Sequence, residues 1–189
     1  MRTSTVRLAA IGDIAEVRPG LSTGVRLEHD AAGSHQVVLS RHLVPGQSYL
    51  YSSGDIFRIN PGRDARKYEV RVGDVLFMSR GTRNVASWIG SVPTPTVAPV
   101  SFYVLRPAHG VDAGYLSWFL NQPDAQRAIA DIRTGAGTPI VQRAPFALLR
   151  VPVPDLETQH SIAGIGAAMA QERLTLDHLA ATTARLHDI

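Results

Sequence analysis

No cysteine occurs among the 189 residues, which excludes disulfides, cysteine-ligated zinc and thiol chemistry together. Lysine is nearly as scarce. Lys67 is the only one, and Ala65 stands two residues before it, so the acid-x-Lys arrangement of metal-dependent nucleases is not assembled locally. No apolar run approaches the roughly 18 to 20 residues of a membrane span, and the start, MRTSTVRLAAIGD, lacks the continuous apolar segment of a secretory signal. A cytoplasmic location without membrane contact is the expectation. Also missing are the Gly-x-Ser-x-Gly elbow of hydrolases and the Asn/Asp-Pro-Pro-aromatic motif of adenine methyltransferases. The glycine-rich RTGAGTPIVQR is not followed by the Lys-Ser/Thr of a nucleotide-binding P-loop, nor does a strand-turn-helix unit surround it. Histidines 29, 35 and 42 fall in an expected loop region without metal-ligand grouping, and His178 and His187 fall on an expected helix. A Ser-His-Asp set assembled in space stays open as a hydrolase reading. The expectation is nevertheless a chain with no catalytic residue, no metal and no cofactor.

With 44% hydrophobic residues, the chain can bury a core. Its formal charge of +3 is unevenly spread. Residues 31–84 hold eight cations against four acids, residues 85–150 five against three, and residues 151–189 two against five. A basic body and an acidic tail suit a phosphate-binding head joined to a separate assembly element.

Short apolar or alternating runs recur between Gly/Pro turn signals: TVRLA, HQVVLS, DIFRIN, DVLFMS, VASWIG and VSFYVLRP. They predict the strands of a compact, irregular sheet or half-barrel. DAGYLSWFLNQPDAQRAIADI predicts a helical pair. Asp112 is its N-cap, Leu116, Phe119 and Leu120 form an apolar stripe, and Pro123 starts a second helix carrying Ile129 and Ile132. The class is α+β, with a body over 1–154 and a helix over 155–189, where no proline occurs.

Along that helix, positions spaced alternately by three and four carry Ile162, Ile165, Met169, Glu172, Leu176, Leu179, Thr183 and Leu186. This narrow seam suits pairing with another helix. An amphipathic helix folded back on its own body is the competing reading. Gly164 and Gly166 each cost a helix roughly 1 kcal/mol relative to alanine, and they offer a small-residue surface to an approaching helix.

GDVLFMSRGTRN is the segment where chemistry concentrates. A Gly73–Asp74 turn and a buried strand deliver the chain to Ser79, Arg80, Thr82, Arg83 and Asn84, whose side chains can meet phosphates and base edges. Arg58, Arg63, Arg66 and Lys67 lie upstream, in the densest basic region. Thr134 and Thr138, in the glycine-rich turn of RTGAGTPIVQR, are weaker phosphate-binding candidates, and a plain turn into Ile140 explains them equally well.

The order VRLAAIGDIAEVRPG, then VGDVLFMSRGT, then GYLSWFLNQPDAQRAIADIRTGAGTPIVQRAPFALLRVPVPDLETQHSIAGI resembles a target recognition domain and its following helix from the DNA specificity (S) subunits of type I restriction-modification systems. LLRVPVPDLETQHSIAGI is the most specific part: a short strand, prolines, a Leu-x-x-Gln and a long helix with Ile-Ala. Such subunits generally carry two recognition domains separated by two helices in an antiparallel coiled coil, so this sequence is similar to a half-length form. The resemblance implies a non-catalytic subunit that forms a homodimer through Ile162, Ile165, Met169, Leu176, Leu179 and Leu186. It would bind double-stranded DNA at an interrupted palindrome and serve an adenine methyltransferase (M) subunit and an endonuclease (R) subunit. The alternative is an assembly module that recruits a methyltransferase without reading DNA.

Overall fold

The computed structural model describes residues 6–23, 27–52, 56–62 and 64–187, with the side chains of the last helix as far as 184. Along the chain run β1 (Arg7–Ala10), α1 (Ile11–Ile14), β2 (Ala15–Pro19), β3 (His35–Val37), β4 (Tyr49–Leu50), β5 (Arg58–Ile59), β6 (Val75–Met78), β7 (Ala86–Ser91), β8 (Thr96–Val97) and β9 (Phe102–Pro107). They are followed by α2 (Ala113–Leu120), α3 (Pro123–Asp131), β10 (Arg133–Thr134), β11 (Ile140–Val141), α4 (Arg143–Leu148), β12 (Arg150–Val153) and α5 (Leu156–His187). The class is α+β, with open sheets and a long C-terminal helix.

The main sheet has the order β2-β9-β6-β7-β4, and a smaller one the order β5-β3-β8. β6 lies at the centre of the main sheet, antiparallel to β9 and β7. Its unbroken apolar run is explained by burial on both faces. Val75 and Phe77 enter one core with Leu116, Leu120 and Phe146, whereas Leu76 enters another with Ile89, Phe102 and Val104. Each such side chain contributes about 1.5–3 kcal/mol on full burial. The strand is thereby a rigid base for the loop that leaves its C-terminal end.

β2 is not expected from its sequence. Its AEVRP looks like the lead-in to a turn, yet it pairs antiparallel with β9 from Ala15–Pro107 to Pro19–Tyr103. β1 pairs with β12, so the start of the described chain meets the strand just before α5. The helical pair forms as expected. Asp112 accepts from the Tyr115 amide at 2.7 Å, Pro123 opens α3, and Leu116, Leu120 and Ile129 are buried.

α5 begins on a side-chain cap: the Thr158 amide donates to Asp155 Oδ1 at 2.8 Å. Behind it Gln159 is fully buried. Its amide donates to the carbonyls of Gly110 and Pro154 and accepts from the Asp112 amide, tying α5 to the start of α2. The glutamine of Leu-x-x-Gln is thus a structural pin.

The helix approaching Gly166 belongs to the same chain. A Cβ at Gly166 would lie 2.3 Å from Trp118 Cδ1 of α2, whereas one at Gly164 would meet nothing within 4 Å. Opposite signs are expected. Gly166→Ala should destabilise by about 2 kcal/mol through overpacking, and Gly164→Ala should stabilise by up to about 1 kcal/mol through helix propensity. Equal melting temperatures for the two variants would contradict this packing.

Gln47 Nε2 donates to Gln171 Oε1 at 2.7 Å, and from Glu172 to Ala184 every side chain is exposed. The helix therefore lies on its own body along its first half and then projects. Its 32 residues make a rod of about 48 Å at 1.5 Å per residue.

Candidate nucleic-acid interface

The chain leaves β6 at Ser79 and re-enters the sheet at Ala86 as β7. Ser79 and Asn84 do not face outward, being 2% and 3% exposed. Ser79 Oγ donates to the Ser101 carbonyl at 3.0 Å, and Asn84 Nδ2 donates to the Met78 carbonyl at 2.8 Å. Their side chains close the loop from within. Arg80, Thr82 and Arg83 are exposed between them, and Gly81 (φ +88°) supplies a backbone conformation that other residues rarely adopt.

RTGAGTPIV folds as a hairpin, β10 paired with β11, and the hairpin docks on this loop. The Gly81 amide donates to the Pro139 carbonyl and the Val141 amide to the Ser79 carbonyl, both at 2.8 Å. Arg133 Nη1 donates to the Thr82 carbonyl at 3.0 Å. Two segments about fifty residues apart thus form one surface carrying exposed Arg80, Thr82, Arg83, Thr134 and Thr138. Thr134 Oγ1 accepts from Gln142 Nε2 at 2.7 Å, which braces the hairpin internally.

Arg143, at the start of α4, also belongs to this surface. The Tyr103 hydroxyl donates to the Val141 carbonyl at 2.7 Å, and burial pushes the phenol above its ordinary pKa while Arg143 and Arg80 oppose the shift. Arg80 forms an isolated antiparallel bridge with Ile140, three residues before the exposed Arg143. Arg143 is legible in sequence only as the last residue of the glycine-rich segment, because the bridge that brings Arg80 to Ile140 is a tertiary fact.

The upstream cations stand elsewhere. Arg58 lies on β5 in the smaller sheet, and its Nε donates to the Gly33 carbonyl at 2.7 Å. Arg66 and Lys67 are exposed on a 3-10 turn over Ala65–Tyr68, with Lys67 3.2 Å from Asp64. Arg63 falls outside the described residues. Beyond the other end of β6 opens a cavity of about 650 Å³, bordered by Arg71, Trp88, Asp112, His160 and small residues of α5. There buried Asp74 holds Arg106 through two bonds of 2.8 Å.

On α5, Ile162 packs against the body core. Ile165, Met169, Leu176 and Leu179 are between 56% and 64% exposed and lie along one apolar stripe of the helix. The side chain of Leu186 lies outside the described residues.

No protein-family model matches the sequence, and no curated protein matches it. Solved structures do. The S subunit of a type I restriction-modification system from M. genitalium superposes with TM-score 0.62 at 13% identity, over 100% of this chain and 45% of that one. The chain has the S-subunit fold. A chain from the type I R-M system, solved in connection with its complex assembly and conformational transition, gives TM-score 0.66 at 15% identity, over 94% of this chain and 41% of that one. The HsdS subunit from Thermoanaerobacter tengcongensis gives 0.58 at 16%, over 92% and 39%. This chain therefore spans less than half the length of each of these three. Among the described residues, no helix is long and apolar enough to cross a membrane.

Proposed function

We propose that the protein is a cytoplasmic, non-catalytic specificity subunit of half length, which binds duplex DNA through the surface made by residues 79–84 and the 133–141 hairpin. The observation that carries this reading is the docking of those two segments into one cationic surface on a body with the S-subunit fold. Arg80, Arg83 and Arg143 supply charge for phosphates, and the threonines and the glycine backbone come close enough for base edges. Arg58, Arg66 and Lys67, which stand elsewhere on the body, would be separate phosphate contacts and not part of this surface.

α5 joins two copies. A parallel pair would set Glu172 against Glu172 in the seam, a like-charge contact. An antiparallel pair can place Glu172 beside Leu176 while joining Met169 with Leu179 and Ile165 with Thr183. Two heads held two-fold on such a rod read two half-sites about one turn of duplex apart, hence an interrupted palindrome. The resemblance supplies the remaining partners, an adenine methyltransferase subunit and an endonuclease subunit.

Mapping methylated adenines in the source genome, with and without this gene, tests the reading. The expected result is an interrupted palindrome whose methylation disappears on deletion. The duplex so identified should bind the purified chain with an affinity that falls steeply with salt. Methylation lost on deletion without any such binding, by the chain alone or with the methyltransferase subunit, would favour the assembly-module alternative.

A further inference from the structure

The exposed part of the loop contains no side chain that packing could hold. Arg80, Thr82 and Arg83 are exposed, and Gly81 has no side chain. Its shape must come from hydrogen bonds, and these have a pattern. The carbonyls of Thr82, Asn84 and Ala86, alternate residues leading into β7, accept respectively from Arg133 Nη1 at 3.0 Å, Gln126 Nε2 at 2.8 Å and Asn121 Nδ2 at 2.8 Å. Alternate carbonyls of an extended chain point to the same side, where a neighbouring strand would normally supply the donors. Here three side chains from the α2–α3 pair and the residues just after it take that place. Asn121 completes the imitation of a strand, because its Oδ1 accepts from the Ala86 amide at 3.1 Å.

We propose that Asn121, Gln126 and Arg133 are positioning residues that hold the 79–86 segment in its reading shape before DNA arrives, so that discrimination between sites is set through the helical pair. This rests on the reading of that segment as a DNA contact. None of the three needs to touch a base. The donors are themselves anchored: Asn121 also donates to the Ser117 carbonyl at 2.8 Å and Gln126 to the Leu120 carbonyl at 2.6 Å, both within α2. α2 in turn packs on α5 where Trp118 covers Gly166. The reading loop is thereby connected to the rod by a continuous set of contacts.

Gln126→Glu is the sharpest test, since it keeps the shape and replaces a donor facing two carbonyls by an acceptor. Gln126→Ala serves as the second variant should the first fail to fold. Hydrogen exchange at the Gly81 and Ala86 amides of the free, full chain is measured first. Binding to the duplex identified by methylation mapping, and to one altered by a single base pair, is then measured over a salt series. Loss of such bonds should speed exchange about tenfold and lower the affinity ratio between the two duplexes about tenfold. The salt slope should not change, because no phosphate contact is removed.

Exchange that is unchanged in both variants would overturn the proposal, as would faster exchange with an intact affinity ratio. A fall in affinity equal for both duplexes would also overturn it, because general destabilisation does that. A wild-type chain with no preference between the duplexes would instead overturn the DNA reading, while exchange would still decide whether the side chains hold the loop.

Discussion

Replacing Arg80 and Arg83 together by alanine should weaken duplex binding about 100-fold at moderate salt, since each cationic contact to phosphate or base contributes about 1–3 kcal/mol. If both meet phosphates, the slope of log affinity against log salt should fall by nearly 2. If either reads a guanine edge, the slope should fall less and discrimination at one base pair should relax. The melting temperature should stay close to wild type, because both side chains are exposed and the bonds that shape the loop use the Gly81 amide, the Thr82 carbonyl and other backbone groups. Titration of labelled duplex at three salt concentrations measures all of this. Unchanged affinity would remove the loop from the interface, however the rest of the body behaves.

Arg80 and Arg83 are legible in the sequence because VLFM, a short apolar run between a Gly-Asp turn and a polar loop, suits a buried strand, and a buried strand delivers the next residues to a defined place. The same strand also tells against Ser79. Residues 75, 77 and 79 share one face of an extended chain, and Val75 and Phe77 point into the core, so Ser79 is bound to point inward too. Asn84 carries no such signal. Its inward turn is made by the bond of its side chain to the Met78 carbonyl at 2.8 Å, across the loop it closes.

The strands with long apolar runs and the helices with caps arise from local chemistry: Asp112 before α2, Pro123 at the head of α3, the proline-free stretch that forms α5. Elements that depend on distant partners are not legible in this way. β2 is short and ends in proline, and only its pairing with β9 makes it a strand. The meeting of the 79–84 loop with the 133–141 hairpin rests on backbone bonds across about fifty residues, which no periodicity encodes. Asn121, Gln126 and Gln159 are single amides on or beside helices, indistinguishable in sequence from solvated polar residues. Two of them hold the candidate reading loop and the third pins the rod. Gly166 stands out in the sequence for its cost to a helix. Its partner is Trp118 of the same chain, which takes up one face of the first half of α5 and leaves Ile165 and Met169 exposed on another.

That division along α5 decides where the proposed second copy could be severed without unfolding the first. Leu176 and Leu179 lie beyond Gln171, which is bonded to Gln47 of the body, and they are 58% and 56% exposed. The double substitution Leu176→Glu, Leu179→Glu should therefore leave the melting temperature of the body nearly unchanged. In a two-fold pair it places four carboxylates in the seam at once. With a desolvation cost of about 1–3 kcal/mol for each polar group so buried, the dimer should weaken more than about 1,000-fold. Ile162→Glu, by contrast, should lower stability, because Ile162 packs against the body core. Sedimentation or light scattering across a concentration series separates the two outcomes. A Leu176→Glu, Leu179→Glu chain that stays dimeric at micromolar concentration would sink helix pairing, and with it the two-fold reading of DNA, while leaving single-head binding through Arg80 and Arg83 intact.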